Sequence, residues 1–235
     1  MQHFLVDCMQ RTPTLLPGFF KMLAFPDHKN IFEFISWSNL VSSLMRQGPS
    51  PLECLSHIQA RTTANLIDDI IVAIFPIKFK RQTLAKSLQS GKPLVVLECL
   101  KLITASLERF QILKEQGSRE QKWTDDFIDT LSIAFSQCLP DIQILLTVRT
   151  RFDAFTTNKA NALINHGLNR VLESFALTLP SLIKEAKFDW MKLIPGKTSQ
   201  FFRGLPFIQR SVLGTLKLVI ELCEVRLMVK YYCSC

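Results

Sequence analysis

Between residues 184 and 210 the basic side chains Lys184, Lys187, Lys192, Lys197, Arg203 and Arg210 are interleaved with Phe188, Trp190, Phe201 and Phe202. Mobile cations neutralise phosphates, and unpaired bases stack on exposed rings, so this mixture suits single-stranded nucleic acid. The competing reading is a solvated basic face laid over buried aromatics. Lys78, Lys80 and Arg81 form a second, smaller basic candidate.

Other constellations point to weaker chemistry. Pro195-Gly196-Lys197-Thr198-Ser199 ends like a phosphate-binding loop, but the glycine required five residues earlier is Met191. The segment before it, Lys184 to Leu193, has helical rather than strand character, so an inter-helix loop is expected. Cys233-Ser234-Cys235 lacks the further paired ligands of a structural zinc site, and His3, His28, His57 and His166 are scattered. Cys54 and His57 stand one helical turn apart without an orienting third group or an oxyanion site. Asp125 and Asp126 suit a helix N-terminus. Asp68 and Asp69 interrupt an apolar helix, where an inward contact with Arg61 or Lys101 is expected. No nucleophile, metal ligand set or glycine-rich cradle accompanies these carboxylates. We therefore expect no catalytic residue, no metal, no cofactor and no small-molecule substrate.

The elements that must position these groups read as helices. The chain has 235 residues, 48% of them hydrophobic, 20% charged, and its 18 phenylalanines outnumber its 2 tyrosines. Such a composition excludes disorder and provides for a large core. Formal net charge is +8. Basic residues exceed acidic ones by 16 to 14 through Thr150 and by 12 to 6 from Arg151 onward, so the excess belongs to the second half. That bias favours polyanionic partners. Seven cysteines, mostly within apolar runs, and no Asn-x-Ser/Thr sequon suit a reducing compartment. The N-terminus has no signal-peptide pattern, and no uncharged apolar run is long enough to span a membrane.

After a short apolar stretch over 12–25, apolar periodicity predicts helices over residues 30–47, 51–59, 63–75, 81–89 and 93–116, one capped by Thr124, and others over 140–151, 159–179, 180–187 and 209–231, with no strand. The organising element is the helix opened by Lys92-Pro93. Glu98, Lys101, Glu108 and Glu115 form one thin polar stripe on it, and nearly every other direction is apolar. It should be covered on two or three sides, with Gly117 ending it. On the helix over 30–47 the apolar face is expected from Phe32, Ile35, Trp37, Leu40 and Leu44. The organisation expected is residues 1–116, a polar linker at 117–123, and a more basic 124–235 of the same helical domain. Short proline-marked connections favour a stack of helical hairpins, with a compact bundle as the competitor.

Three places carry a resemblance to a known family. One is Ile74-Phe75-Pro76, the basic turn at Lys80-Arg81, a short helix, and Leu94-Val95 opening a leucine-rich helix. The second is Leu139-Pro140-Asp141-Ile142-Gln143-Ile144-Leu145-Leu146, and the third is Phe188-Asp189-Trp190 with the lysines after it. These resemble the N-terminal region of the nucleolar pre-ribosomal-associated protein 1 family. The resemblance covers most of the chain from about Ile31. It implies a HEAT/armadillo-like superhelical stack, an α-solenoid. It further implies a nucleolar, non-enzymatic scaffold for early 60S pre-ribosome assembly and rRNA processing. The partners implied are pre-ribosomal RNA and assembly factors, including a helicase. Family members are far longer; this chain looks like a fragment or truncated product, closing on Tyr231-Tyr232-Cys233-Ser234-Cys235. Both ends are apolar (Phe4, Leu5 and Val6; Leu227, Met228 and Val229), so the stack is expected to be incomplete at both, and to self-associate or need a partner. A protein-only adaptor that holds partner helices without touching RNA is the alternative.

Overall fold

Capping chemistry sets most of the helix boundaries. The computed structural model describes residues 2–55, 63–76, 81–120, 123–152, 159–186, 188, 190–193, 209, 213–220 and 222. Within them run α1 (Gln2–Arg11), α2 (Leu15–Met22), α3 (Ile31–Gln47), α4 (Pro51–Cys54), α5 (Thr63–Ile74) and α6 (Arg81–Leu88). Next come α7 (Pro93–Arg119), α8 (Asp125–Cys138), α9 (Ile142–Arg151), α10 (Lys159–Thr178) and α11 (Pro180–Glu185). A 3₁₀ turn follows at Trp190–Leu193, and 213–220 is helical. The described residues contain no strand.

Side chains of Asn30, Ser50, Thr124 and Asp141 accept the first free amides of α3, α4, α8 and α9, from Glu33, Glu53, Phe127 and Gln143. Ser50 and Glu53 close a reciprocal capping box. Pro51, Pro93 and Pro180 occupy first turns, where no amide is needed. Gly91 turns the chain between α6 and α7 at φ 74°, a left-handed conformation that suits glycine.

The long helices lie side by side in one row. α7 packs between α3 and α10, and 213–220 lies against α10. The register gives their direction. Lys92 Nζ donates to the Lys29 carbonyl, and Arg46 bonds Glu108 sixteen residues further along α7. From α7 to α10, Glu108 meets Arg170, and Lys114 meets the Thr178 carbonyl. From α10 onward, Asn169 meets Thr215 and Glu173 meets Lys217. Numbers rise together at each step, so neighbours in the row are parallel, and the chain must return between them through shorter helices. α5 packs against both α2 and α8 and ends beside the last turn of α3, and α6 runs parallel to α9, with Arg81 on Asp141 and Arg151 on the Gln89 carbonyl. Buried apolar residues from Val6 to Leu222 belong to one continuous cluster. Phe110 of α7 stacks on Phe135 of α8 at 4.3 Å between ring centroids, a contact that adds about 1 kcal/mol to the burial of both rings.

Four expectations are corrected here. Helix α7 does not end at Gly117 but continues to Arg119, because Trp123 folds back over that glycine. A Cβ at Gly117 would sit 2.1 Å from the indole, so the residue is a close-approach position rather than a helix stop. Second, the buried residues of α3 are Phe34, Ser38, Val41, Ser42, Leu44 and Met45, so of the expected face Leu44 is buried, while Phe32 is 85% exposed and Phe34, Ser38, Val41 and Met45 form the stripe. The spacing of four, three and four is the helical stripe; the serines within it hid the pattern. Third, Glu98 is 5% exposed and held by Lys101 at 2.7 Å, so the stripe on α7 does not open fully to water. Fourth, Asp69 pairs with Lys21 of α2 at 3.3 Å and Asp68 is exposed; Lys101 takes Glu98 instead, and Arg61 lies outside the described residues. At the ends of the chain, Phe4 is exposed while Val6 is buried, and Leu227, Met228 and Val229 lie outside the described residues.

Candidate functional site

Of the basic residues singled out in the sequence, Lys184 stands exposed on α11 and Arg81 opens α6. Lys192 falls in the 3₁₀ turn, with its side chain outside the described residues. Lys78, Lys80, Lys187, Lys197, Arg203 and Arg210 also lie outside them, as do Phe201 and Phe202. Arg81 is engaged: its Nη2 bonds Asp141 Oδ2 at 3.0 Å, pinning the start of α6 to the start of α9. Trp190 is 3% exposed and meets Phe188 edge-on at 5.1 Å between centroids. It belongs to the core and is not a free stacking platform.

A cleft of about 320 Å³ lies beside Arg81, lined also by Leu139, Pro140, Asp141, Gln143 and Glu185. Gln143 Nε2 donates across it to the Ala186 carbonyl at 3.0 Å. Two carboxylates against one cation make a poor phosphate seat. Asp141 already occupies the anion-favouring N-terminus of α9.

Several cations are used to cap helices. The last carbonyls of a helix have no intrahelical donor and carry the negative end of its dipole. Arg109, 3% exposed, meets two such ends: Nη1 donates to the Met45 carbonyl of α3 at 3.1 Å and Nε to the Ala73 carbonyl of α5 at 3.0 Å. Its Nη2 reaches Cys54 Sγ at 3.8 Å. Burial lowers the Arg109 pKa to about 10, still far above neutral, so it remains charged. Lys114 Nζ donates to the Thr178 carbonyl of α10 and sits 5.8 Å over the Phe110 ring. Burial pulls its ammonium below the ordinary lysine value, with Asp129 acting the other way. Arg149, also buried, bonds Asn169 Oδ1 at 2.7 Å and Thr215 Oγ1 at 2.9 Å, tying α9, α10 and 213–220 together. Part of the positive charge counted in the sequence therefore holds helices in register.

Cys54 is a weak nucleophile in this setting. Burial pushes its thiol up to about 11, with the Arg109 charge pulling back, and His57 lies outside the described residues. Burial pushes Cys99 higher still. In the native chain at pH 8, iodoacetamide should alkylate half-buried Cys8 well before Cys54 and Cys99, because the thiolate is the nucleophile. Mass spectrometry of the labelled chain reads this, and equal rates at all three would contradict the placement. The linkage has a definite sign. Both thiols are raised in the folded state, so their stabilising contribution is full below the ordinary value of 9.0 and is lost as pH rises toward 11 and beyond. Urea midpoints should therefore fall between pH 8 and 10.

A second concavity lies in the row itself. A groove of about 260 Å³ follows α7 between α3 and α10, lined by Leu97, Leu100, Lys101 and Thr104, with Arg46 on one rim and Leu163, His166, Gly167 and Arg170 on the other. A Cβ at Gly167 would meet Leu100 Cδ1 at 3.2 Å, so glycine both lets α10 approach α7 and keeps the groove open. Glu108 stands one turn beyond Thr104 and takes both rim arginines, Arg46 at 3.3 Å and Arg170 at 2.9 Å. This groove carried no mark in the sequence, since its rims come from helices far apart in the chain.

Among the described residues no three His, Cys, Asp or Glu side chains converge as a metal site. No single described helix is long and apolar enough to cross a membrane. Comparison of the chain with protein-family models, with characterised proteins and with solved structures finds no match.

Proposed function

We propose that this chain is a non-enzymatic scaffold built as an α-solenoid, working in early large-subunit ribosome assembly in the nucleolus. The observation that carries the architectural half is the row of parallel helices α3, α7, α10 and 213–220, with shorter helices returning between them. Parallel helices in a row arise when one up-and-down unit is stacked repeatedly, and such a stack offers a long surface rather than one deep pocket. The ribosomal half rests on the resemblance of Ile74-Phe75-Pro76, of the Leu139-Pro140-Asp141 helix start and of the Phe188–Trp190 segment to the nucleolar family. On this reading the basic second half touches pre-ribosomal RNA, and the helix rows hold assembly factors, a helicase among them.

The alternative, an adaptor for proteins alone, is favoured by one observation: Arg81, Arg109, Lys114 and Arg149 are engaged within the fold, which leaves fewer cations for phosphate. Sedimentation of tagged chain from nuclear extract separates the two. Co-migration with pre-60S particles that is lost on ribonuclease treatment is expected for the RNA-contacting scaffold. Migration with proteins that ribonuclease leaves unchanged would favour the adaptor.

A further inference from the structure

The groove over α7 changes character along its length. At its beginning Leu163 is 56% exposed, and Leu94, one turn before Leu97 on the same side of α7, is 54% exposed. At its far end stand Arg46, Lys101 and Arg170, side chains 38%, 44% and 51% exposed. Against these three cations the groove has Glu108, shared by both arginines, and Glu98, buried beneath Lys101. One positive charge is left over. Each guanidinium has five N–H donors and gives one to Glu108. From Leu97 to Thr104 the floor runs about 10 Å at 1.5 Å per residue, the length of roughly two turns of a bound helix.

From this we infer that the groove between α7 and α10 is a docking site for an acidic amphipathic helix of a partner protein, with apolar anchors on Leu94, Leu97 and Leu163 and carboxylates on Arg46, Lys101 and Arg170. Helix-in-groove recognition needs this pairing of an apolar trough with complementary rim charge. Nucleic acid fits less well. Glu108 sits between the two arginines a phosphate would use, and the lining residues include no Phe, Tyr or Trp for a base, His166 being the one ring among them. The proposal supplies a partner class for the scaffold reading and rests on that reading only for its biological setting.

The test uses the whole chain and fluorescence anisotropy of a labelled synthetic helix carrying leucines and glutamates on one face. The parent chain should bind it, and added salt should weaken binding. Leu163→Glu, a change at an exposed position, and the double variant Arg46→Glu/Arg170→Glu should each lower affinity at least about tenfold. Circular dichroism melts should show Leu163→Glu folded like the parent. Absence of peptide binding, or equal binding by parent and variants, overturns the inference. So does a single-stranded RNA whose binding these substitutions weaken, which would place RNA in the groove. Sedimentation of Leu163→Glu with pre-ribosomal particles reads the scaffold role separately, since an empty groove does not prevent RNA-driven association.

Discussion

Arg109→Met is expected to lower stability by about 3 kcal/mol, from two buried carbonyls left without donors at roughly 1–3 kcal/mol each, less the relief of burying one charge fewer. The carbonyls are those of Met45 and Ala73, in the last turns of α3 and α5, and both are reached by the one guanidinium. Methionine fills much of the space but donates nothing, so the loss is one of hydrogen bonds and dipole compensation rather than of volume. Arg109→Lys keeps the charge and satisfies one carbonyl, and should cost about half as much, because an ammonium cannot reproduce the guanidinium fork. Against a total stability of roughly 5–15 kcal/mol the methionine variant is a severe lesion. Its urea midpoint should move down by roughly 1 M. An unchanged midpoint would show that Met45 and Ala73 find other donors, and that α7 does not clamp the ends of its neighbours.

Reversing Lys184, Lys187, Lys192 and Lys197 to Glu takes the formal net charge from +8 to zero. If these four lysines touch phosphates, the slope of log affinity against log salt for single-stranded RNA should drop by about 3, and affinity at low salt should fall about a hundredfold or more. A matched reversal of Lys21, Lys29, Lys86 and Lys122 changes net charge equally and should weaken binding far less. Equal losses in the two variants would mean that only overall charge attracts RNA, and the second half would have no particular surface for it. Trp190 adds nothing to this binding, being buried, so Trp190→Phe should leave RNA affinity near the parent value.

The helices were largely legible in the sequence, because prolines and side-chain caps set their limits. Asn30, Thr124 and Asp141 open helices where their types predict, and Pro93 opens α7. The central place of α7 followed from its excess of apolar directions. α1 was not anticipated: only Val6 and Met9 of it are buried, too few for a visible period. What sequence could not show was which polar residues face inward. Arg109 lies between Ser106 and Phe110 in the buried stripe of α7, yet an arginine in an apolar run looks the same whether it snorkels to water or caps two other helices. Ser38 and Ser42 on α3 concealed a buried face for a similar reason. The groove over α7 was illegible in principle, since Arg46, Lys101 and Arg170 meet only after residues far apart in the chain have stacked.

The scaffold account is tested most directly by crosslinking the tagged chain to RNA in nuclear extract and sequencing what is attached. It predicts reads concentrated in precursor rRNA of the large subunit, strongly reduced for the Lys184, Lys187, Lys192 and Lys197 reversal. Background-level reads scattered over unrelated transcripts, the same for parent and variant, would contradict it.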